Sequence, residues 1–223
     1  MTGNPMFSMK RLTAIIVASF LFTQTANAAF ITYTSESAWD TAVGASTTEN
    51  FNSITVDTPF HTSPVNVGNM TFSGFTPSNP TFNEIATTDP HFGFTTTHVR
   101  LATSSVAGDQ SRIDFVTGVS AWGGDIANLE PSRASSFTVF DAGDNALGIF
   151  NSYTAGTGFH GFELTAGEVA SYIVFNSATV DEFFGLDDAK FVTSEAAVSE
   201  PGTLLIFGLG LVGLGYARRH KRA

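Results

Sequence analysis

Between Ala29 and Thr193 the chain is written in short runs of aromatic and β-branched residues, cut apart by glycine, proline, asparagine and aspartate. "SFTVFDAGDNALGIF" shows the pattern. Phe137 and Val139 alternate with polar neighbours, Asp141-Ala142-Gly143-Asp144-Asn145 supplies a turn, and Leu147–Phe150 returns. A period of two is what a half-buried strand requires, because successive side chains leave opposite faces of the pleat. Turn residues between two such runs predict a hairpin. "GFHGFELTAGEVASYIVF" predicts a second one around Thr165-Ala166-Gly167-Glu168. Met70–Phe75, Arg112–Trp122 and Phe183–Val192 read as further strands, the last closing the domain. The 22 phenylalanines fit the same reading, since aromatic side chains suit a pleated, half-buried surface. One segment departs from it: Ser35–Val43 puts Ala38, Trp39, Ala42 and Val43 on one side of a helix, with Ser35 as its cap. Pro59, Pro64, Pro77, Pro80 and Pro90 mark a loop-rich first half. Strands spaced by roughly 8–12 residues with little helix between them predict an all-β domain over residues 29–193, a β-sandwich of jelly-roll type.

Both ends of the chain are of another kind. Lys10 and Arg11 precede an 11-residue apolar run, Leu12–Phe22, and Ala26-Asn27-Ala28 follows. A basic start, a short apolar stretch and small residues in A-x-A order make a signal peptide over residues 1–28, cut between Ala28 and Ala29. The apolar run is too short to span a bilayer as an uncleaved anchor. At the other end, Gly202–Ala217 holds 16 residues without a charge. As a helix they would extend about 24 Å, and snorkelling of Arg218 and Arg219 brings this to membrane-spanning length. Arg218, Arg219, His220, Lys221 and Arg222 form a basic stop held on the cytoplasmic side of the inner membrane. "GLGLVG" within the span satisfies G-x-G-x-x-G at Gly208, Gly210 and Gly213. Only ten residues follow it and none is acidic, so it lacks the βαβ setting of a dinucleotide site.

The residues Ser199, Glu200, Pro201 and Gly202, a leucine- and glycine-rich span and a terminal Arg-Arg cluster resemble the PEP-CTERM sorting signal, here over 199–223 after a polar linker at 194–200. The family's first proline is Ser199 in this chain. The resemblance implies export by a Gram-negative bacterium, processing by a membrane-embedded exosortase, and a destination at the cell surface or in an exopolysaccharide matrix. A plain tail anchor is the alternative.

Between the two ends, residues 29–200 hold all 20 carboxylates and four basic side chains, Arg100, Arg112, Arg133 and Lys190, a formal charge of −16. That field opposes nucleic acid and anionic lipid and favours cations. Cysteine is absent, so thiol chemistry and disulfides are excluded. His61, His91, His98 and His160 lack metal-site spacing and read as loop or surface residues. "GVSAW" around Ser120 lacks the second glycine of a nucleophile elbow. "GLDDAKF" resembles the closing strand of carbohydrate-binding jelly rolls, which implies a structural calcium. Asp187 and Asp188, with Glu49 and Asn52 from the opening segment, are then the candidate ligands, because calcium takes six to eight oxygens. Simple solvation of a strand end is the competing reading, and "DAGDN" reads as an ordinary turn.

Two functions follow from these features. One is a non-catalytic surface or matrix protein binding exopolysaccharide, with Trp39, Trp122, Tyr153 and Tyr172 as candidate stacking residues. The alternative is a secreted carbohydrate-active enzyme using a carboxylate pair. Neither assigns catalytic residues or a definite ligand-binding set. N-terminal sequencing of the protein recovered from the cell envelope is expected to begin at Ala29.

Overall fold

A computed structural model describes residues 29–194 except 78–81, 89–90, 105, 107–108, 130–134, 151–155 and 178–181. The expected signal peptide with Ala28, and the sorting signal with Ser199, Glu200, Pro201, Gly202, Arg218, Arg219, Lys221 and Arg222, lie outside the described residues. In chain order the elements are β1 (Phe30–Tyr33), α1 (Glu36–Val43), β2 (Thr47–Glu49), β3 (Thr58–Pro59), β4 (Val65–Val67), β5 (Met70–Ser73), β6 (Glu84–Ala86), β7 (His98–Thr103), β8 (Ser111–Leu129), β9 (Ser135–Phe140), β10 (Ala146–Phe150), β11 (Gly156–Leu164), β12 (Ala170–Ser177) and β13 (Glu182–Thr193). The all-β expectation holds, with a single helix among the described residues.

The strands form one 13-stranded antiparallel sheet, and β8 joins its parts. Val119 is opposed by Ala170 of β12 and by Thr193 of β13. Trp122 is opposed by Phe162 of β11 and by Phe191 of β13. β11 and β12 therefore follow one another along one side of β8, while β13 and then β5 follow along the other. Two arms result. The C-terminal part of β8 carries β11, β1, β13, β2, β7, β6 and β3, and its N-terminal part carries β12, β9, β10, β5 and β4. Where the sequence predicts the sheets of a sandwich, the hydrogen bonding is continuous, because a strand of 19 residues is long enough to serve both arms.

The β9–β10 hairpin forms as expected. The second predicted hairpin does not. Ala166 (φ 60) and Gly167 (φ 82) make a turn, but β11 and β12 pair with successive stretches of β8 and not with each other. The chain sidesteps there because the edge of β8 beyond Val119 is still open. The first half also contains more strand than its prolines suggest, and Pro59 is accommodated in β3, a two-residue strand at the end of the sheet path, where a missing N–H is tolerated.

Aromatic rings from the two arms meet in the core. Phe137 of β9 lies 5.2 Å from Phe150, 4.8 Å from Phe175 and 5.3 Å from Phe184, between ring centroids. Phe150 in turn packs on Phe162 and Trp122. The outer face of the β11–β8–β13 arm is covered twice. On one part lies α1, capped as predicted by Ser35, whose Oγ accepts from the Ala38 N–H at 3.4 Å. Its Trp39 is fully buried against Phe159 and donates its indole N–H to the Phe162 carbonyl at 3.1 Å. Gly123 makes room: a Cβ there would sit 2.3 Å from the Phe159 ring. On the other part, Phe82, Phe92 and Phe183 pack over Ala102 and Ala127. Replacing Phe137 with alanine, at the centre of the ring cluster, is expected to cost about 3–5 kcal/mol in denaturant unfolding.

Candidate functional site

The bulge in β13 decides where the predicted metal ligands go. Three residue steps from Asp187 to Lys190 are matched by two from Asp125 to Gly123, with Asp188 as the extra residue at φ 46. Asp187 thereby stays on the outer face, where its two oxygens accept from the Thr96 hydroxyl at 2.6 Å and the Asp188 N–H at 2.8 Å. β2 does lie beside β13, as expected of the first and last segments. Glu49, however, is opposite Ala189, a core residue, so it stands on the inner side, accepting from the Phe51 N–H at 2.9 Å. Asn52 is exposed in the following turn, its N–H bound to the Asn50 side chain. Glu49, Asn52, Asp187 and Asp188 thus do not assemble a calcium ligand set. Among the described residues no group of three or more His, Cys, Asp or Glu could hold a metal ion. Asp141 closes its own turn, accepting from the Gly143 and Asn145 N–H groups at 2.8 Å. Its hydrogen bonds, that from the Asn145 side chain foremost, hold the carboxyl below the usual carboxylate range.

The same bulge leaves two carboxylates opposed. Asp125 of β8 is the cross-strand partner of Asp187. Burial pushes both above the usual carboxylate range, and for Asp125 the charges of Glu36, Asp188 and Asp187 add to it. Lys190 stands next to them but is held by Asp40 at 3.0 Å and by Glu36, both on α1. A carboxyl whose folded pKa is raised stabilises the fold below its unfolded pKa, about 3.9, and that stability is lost as pH rises through the folded value.

Two of the four histidines differ from expectation, while His61 and His91 lie in loops. His98 and His160 sit in strands and are buried, where the sequence suggests loop or surface positions. His98 Nδ1 lies 2.9 Å from the Thr96 carbonyl and its ring packs on Phe94. Burial lowers the pKa of the His160 imidazole. The His98 imidazole packs as an aromatic ring would, a role that spacing does not reveal. Of the expected stacking residues, Trp39 and Trp122 are core and Tyr153 lies outside the described residues.

Tyr172 belongs to a different surface, the outer face of the other arm. Thr71 of β5, Asp114 of β8, Tyr172 of β12 and Phe140 of β9 form one cross-strand row. The Arg112 guanidinium lies 3.5 Å above the Tyr172 ring centroid, and Phe140 stacks beside that ring at 4.8 Å and 13°. Arg112 Nε donates to Asp114 at 2.8 Å, and the Tyr172 hydroxyl donates to Asp144 at 2.8 Å. Burial first, then the bond to Asp144, raises the phenol pKa. Tyr172 is therefore not a bare platform but the spacer that fixes the guanidinium. The Arg112 and Asp114 side chains each keep 37% of their surface exposed. The face presents donors, acceptors and an aromatic edge on strands paired along both sides. Arg112, Asp114 and Phe140 were legible in the sequence only as alternation: "RIDF" and "FTVF" put them opposite Ile113, Phe115, Phe137 and Val139.

Because the raised pair is destabilising at neutral pH, Asp125→Asn is expected to raise the thermal midpoint at pH 7 and to change it less at pH 4, as read by melting curves at the two pH values.

No curated protein matches the chain. Among solved structures it is similar to the K1 cleaved adhesin domain of Lys-gingipain from Porphyromonas gingivalis W83, with 11% identity, a TM-score of 0.39, and 68% of this chain and 99% of that one covered. It is also similar to the K2 cleaved adhesin domain of Lys-gingipain, with 14% identity, a TM-score of 0.36, and 67% and 100% covered. The C-terminal residues 197–222 match the PEP-CTERM protein-sorting motif, a signal that indicates an exported, envelope-associated protein.

Proposed function

We propose that the protein is a non-catalytic component of the cell surface or extracellular matrix of a Gram-negative bacterium, and that it binds exopolysaccharide through the outer face bearing Arg112, Asp114, Tyr172 and Phe140. Export rests on the sorting motif, which implies handling by an exosortase-type enzyme. The observation that carries the binding reading is the Arg112–Tyr172–Phe140 stack on the outer sheet face. A guanidinium held flat by an aromatic ring offers fixed donors to hydroxyl or carboxylate oxygens at little entropic cost. Carboxylates beside it accept from sugar hydroxyls, and the phenylalanine edge meets the apolar face of a sugar ring. The strongly negative field of the domain favours a neutral polymer over a highly anionic one.

The enzyme alternative needs two carboxylates facing a cleft, and Asp125 with Asp187 is the pair that register brings together. The Asp187 oxygens are engaged by Thr96 and the Asp188 N–H, which favours a structural role for that pair.

Titration calorimetry of the secreted protein against exopolysaccharide from a producing host is expected to show binding. Arg112→Ala should weaken it tenfold or more, about 1.4 kcal/mol, with the melting temperature little changed. Absence of binding by the unaltered protein to any glycan on an array overturns the reading, and release of reducing ends from the polymer favours the enzyme.

A further inference from the structure

The strand register places both chain ends of the domain at one corner. Ile31, Glu163, Ala121 and Val192 stand in one row across β1, β11, β8 and β13. Two residues before Ile31, Ala29 donates its N–H to the Thr165 hydroxyl at 2.8 Å, and its carbonyl accepts from the Thr165 N–H at 3.1 Å. Two residues after Val192, the Ser194 N–H donates to the Gly118 carbonyl at 2.8 Å. β1 runs in the direction of β8 and β13 runs against it, so both ends leave toward the low-numbered side of Ala121. Three strand spacings separate them, about 14 Å. Between them lies the bend of β8, where Val116 is 69% exposed and Asn69 clamps both the N–H and the carbonyl of Thr117 at 2.7 Å. The start of β8, where the Ser111 hydroxyl donates to the Ala102 carbonyl of β7 at 2.6 Å, is at the opposite end. Ser111 is seven residues from Gly118, about 23 Å of strand, and Val106 beyond it is 60% exposed.

The chain outside the domain is short on both sides. The expected cleavage site precedes Phe30 by a single residue, and six residues, 195–200, separate Ser194 from Pro201. Six residues span at most about 21 Å. The geometry points to a fixed orientation: while the sorting tail is attached, the corner formed by Val116–Gly118, Thr165–Val169, Ala29 and Ser194 faces the lipid bilayer that holds it, and Ser111 and Val106 lie on the far side. This rests on the reading of the C-terminal segment as a membrane-inserted tail. The Asp141–Asn145 turn, two strands along from β8, is directed to the same end, so the corner is apposed to the lipid surface and not inserted into it. A processing enzyme within the membrane then meets this corner of the folded domain, and meets no other.

The absence of cysteine makes the test clean. Val116→Cys and Val106→Cys, in the full chain produced by a host lacking exosortase, are labelled with a fluorophore in isolated membranes, and lipids carrying a nitroxide at the headgroup are added. The expected result is strong quenching at position 116 and little at 106. A 20-residue glycine–serine insertion after Ser194, with a root-mean-square reach of about 25 Å, should relieve the quenching at 116. Equal quenching at the two positions, or more at 106, overturns the orientation while leaving the tail reading intact. Recovery of the unprocessed chain wholly outside the membrane fraction overturns the tail reading and the orientation with it. Melting curves matching the unaltered chain exclude misfolding of either variant.

Discussion

The rest of the structure depends on the pairing of β8 along both of its edges. A strand of 19 residues is roughly 60 Å long when extended, more than a domain of this size can bury in one layer. It must bend, and it does so near Gly118, where a Cβ would lie 2.3 Å from Val169. Once it bends, its neighbours divide into two arms, and the side chains on the inner faces have only each other to pack against. Phe137, Phe150, Phe162, Phe175 and Phe184 fill that space, each worth about 1.5–3 kcal/mol in area removed from water.

The outer faces show how an acidic domain tolerates its charge. On the β7 side Arg100 is buried with Glu84 at 2.9 Å, a pair in which losing either partner would strand a charge. Near α1, Lys190 is shared between Glu36 and Asp40. On the other arm Arg112 is stacked and paired at the surface. Three of the four basic residues thus stand where a carboxylate lies close, leaving a negative field everywhere else. For a protein bound for the envelope this favours solubility and repels anionic polymers, so any tight contact needs a local arrangement such as the one around Tyr172.

The hairpin at Asp141–Asn145 and the helix capped by Ser35 were legible because each is closed by groups within a few residues: the Asp141 carboxylate on two backbone N–H groups, and the Ser35 hydroxyl on that of Ala38. The β7 strand was not, because His98 and Arg100 look like solvent-facing residues, yet their side of the strand is buried. The candidate calcium ligands were not brought together for a related reason. Adjacency of the first and last segments was foreseeable, but the bulge at Asp188 put Asp187 and Glu49 on opposite faces.

By itself, the sequence determined the strand-rich class, the local turns, the helix cap, the net charge and the C-terminal sorting motif, all of which are properties of residues close together along the chain. Tertiary structure alone decided that the Thr165–Glu168 turn sidesteps instead of reversing, that Asp125 faces Asp187, that Arg112 lies on Tyr172, and that Ala29 and Ser194 emerge together. Each of these depends on which edge of β8 remains free when a later strand arrives, and hydrogen-bonding edges are filled by partners tens of residues away.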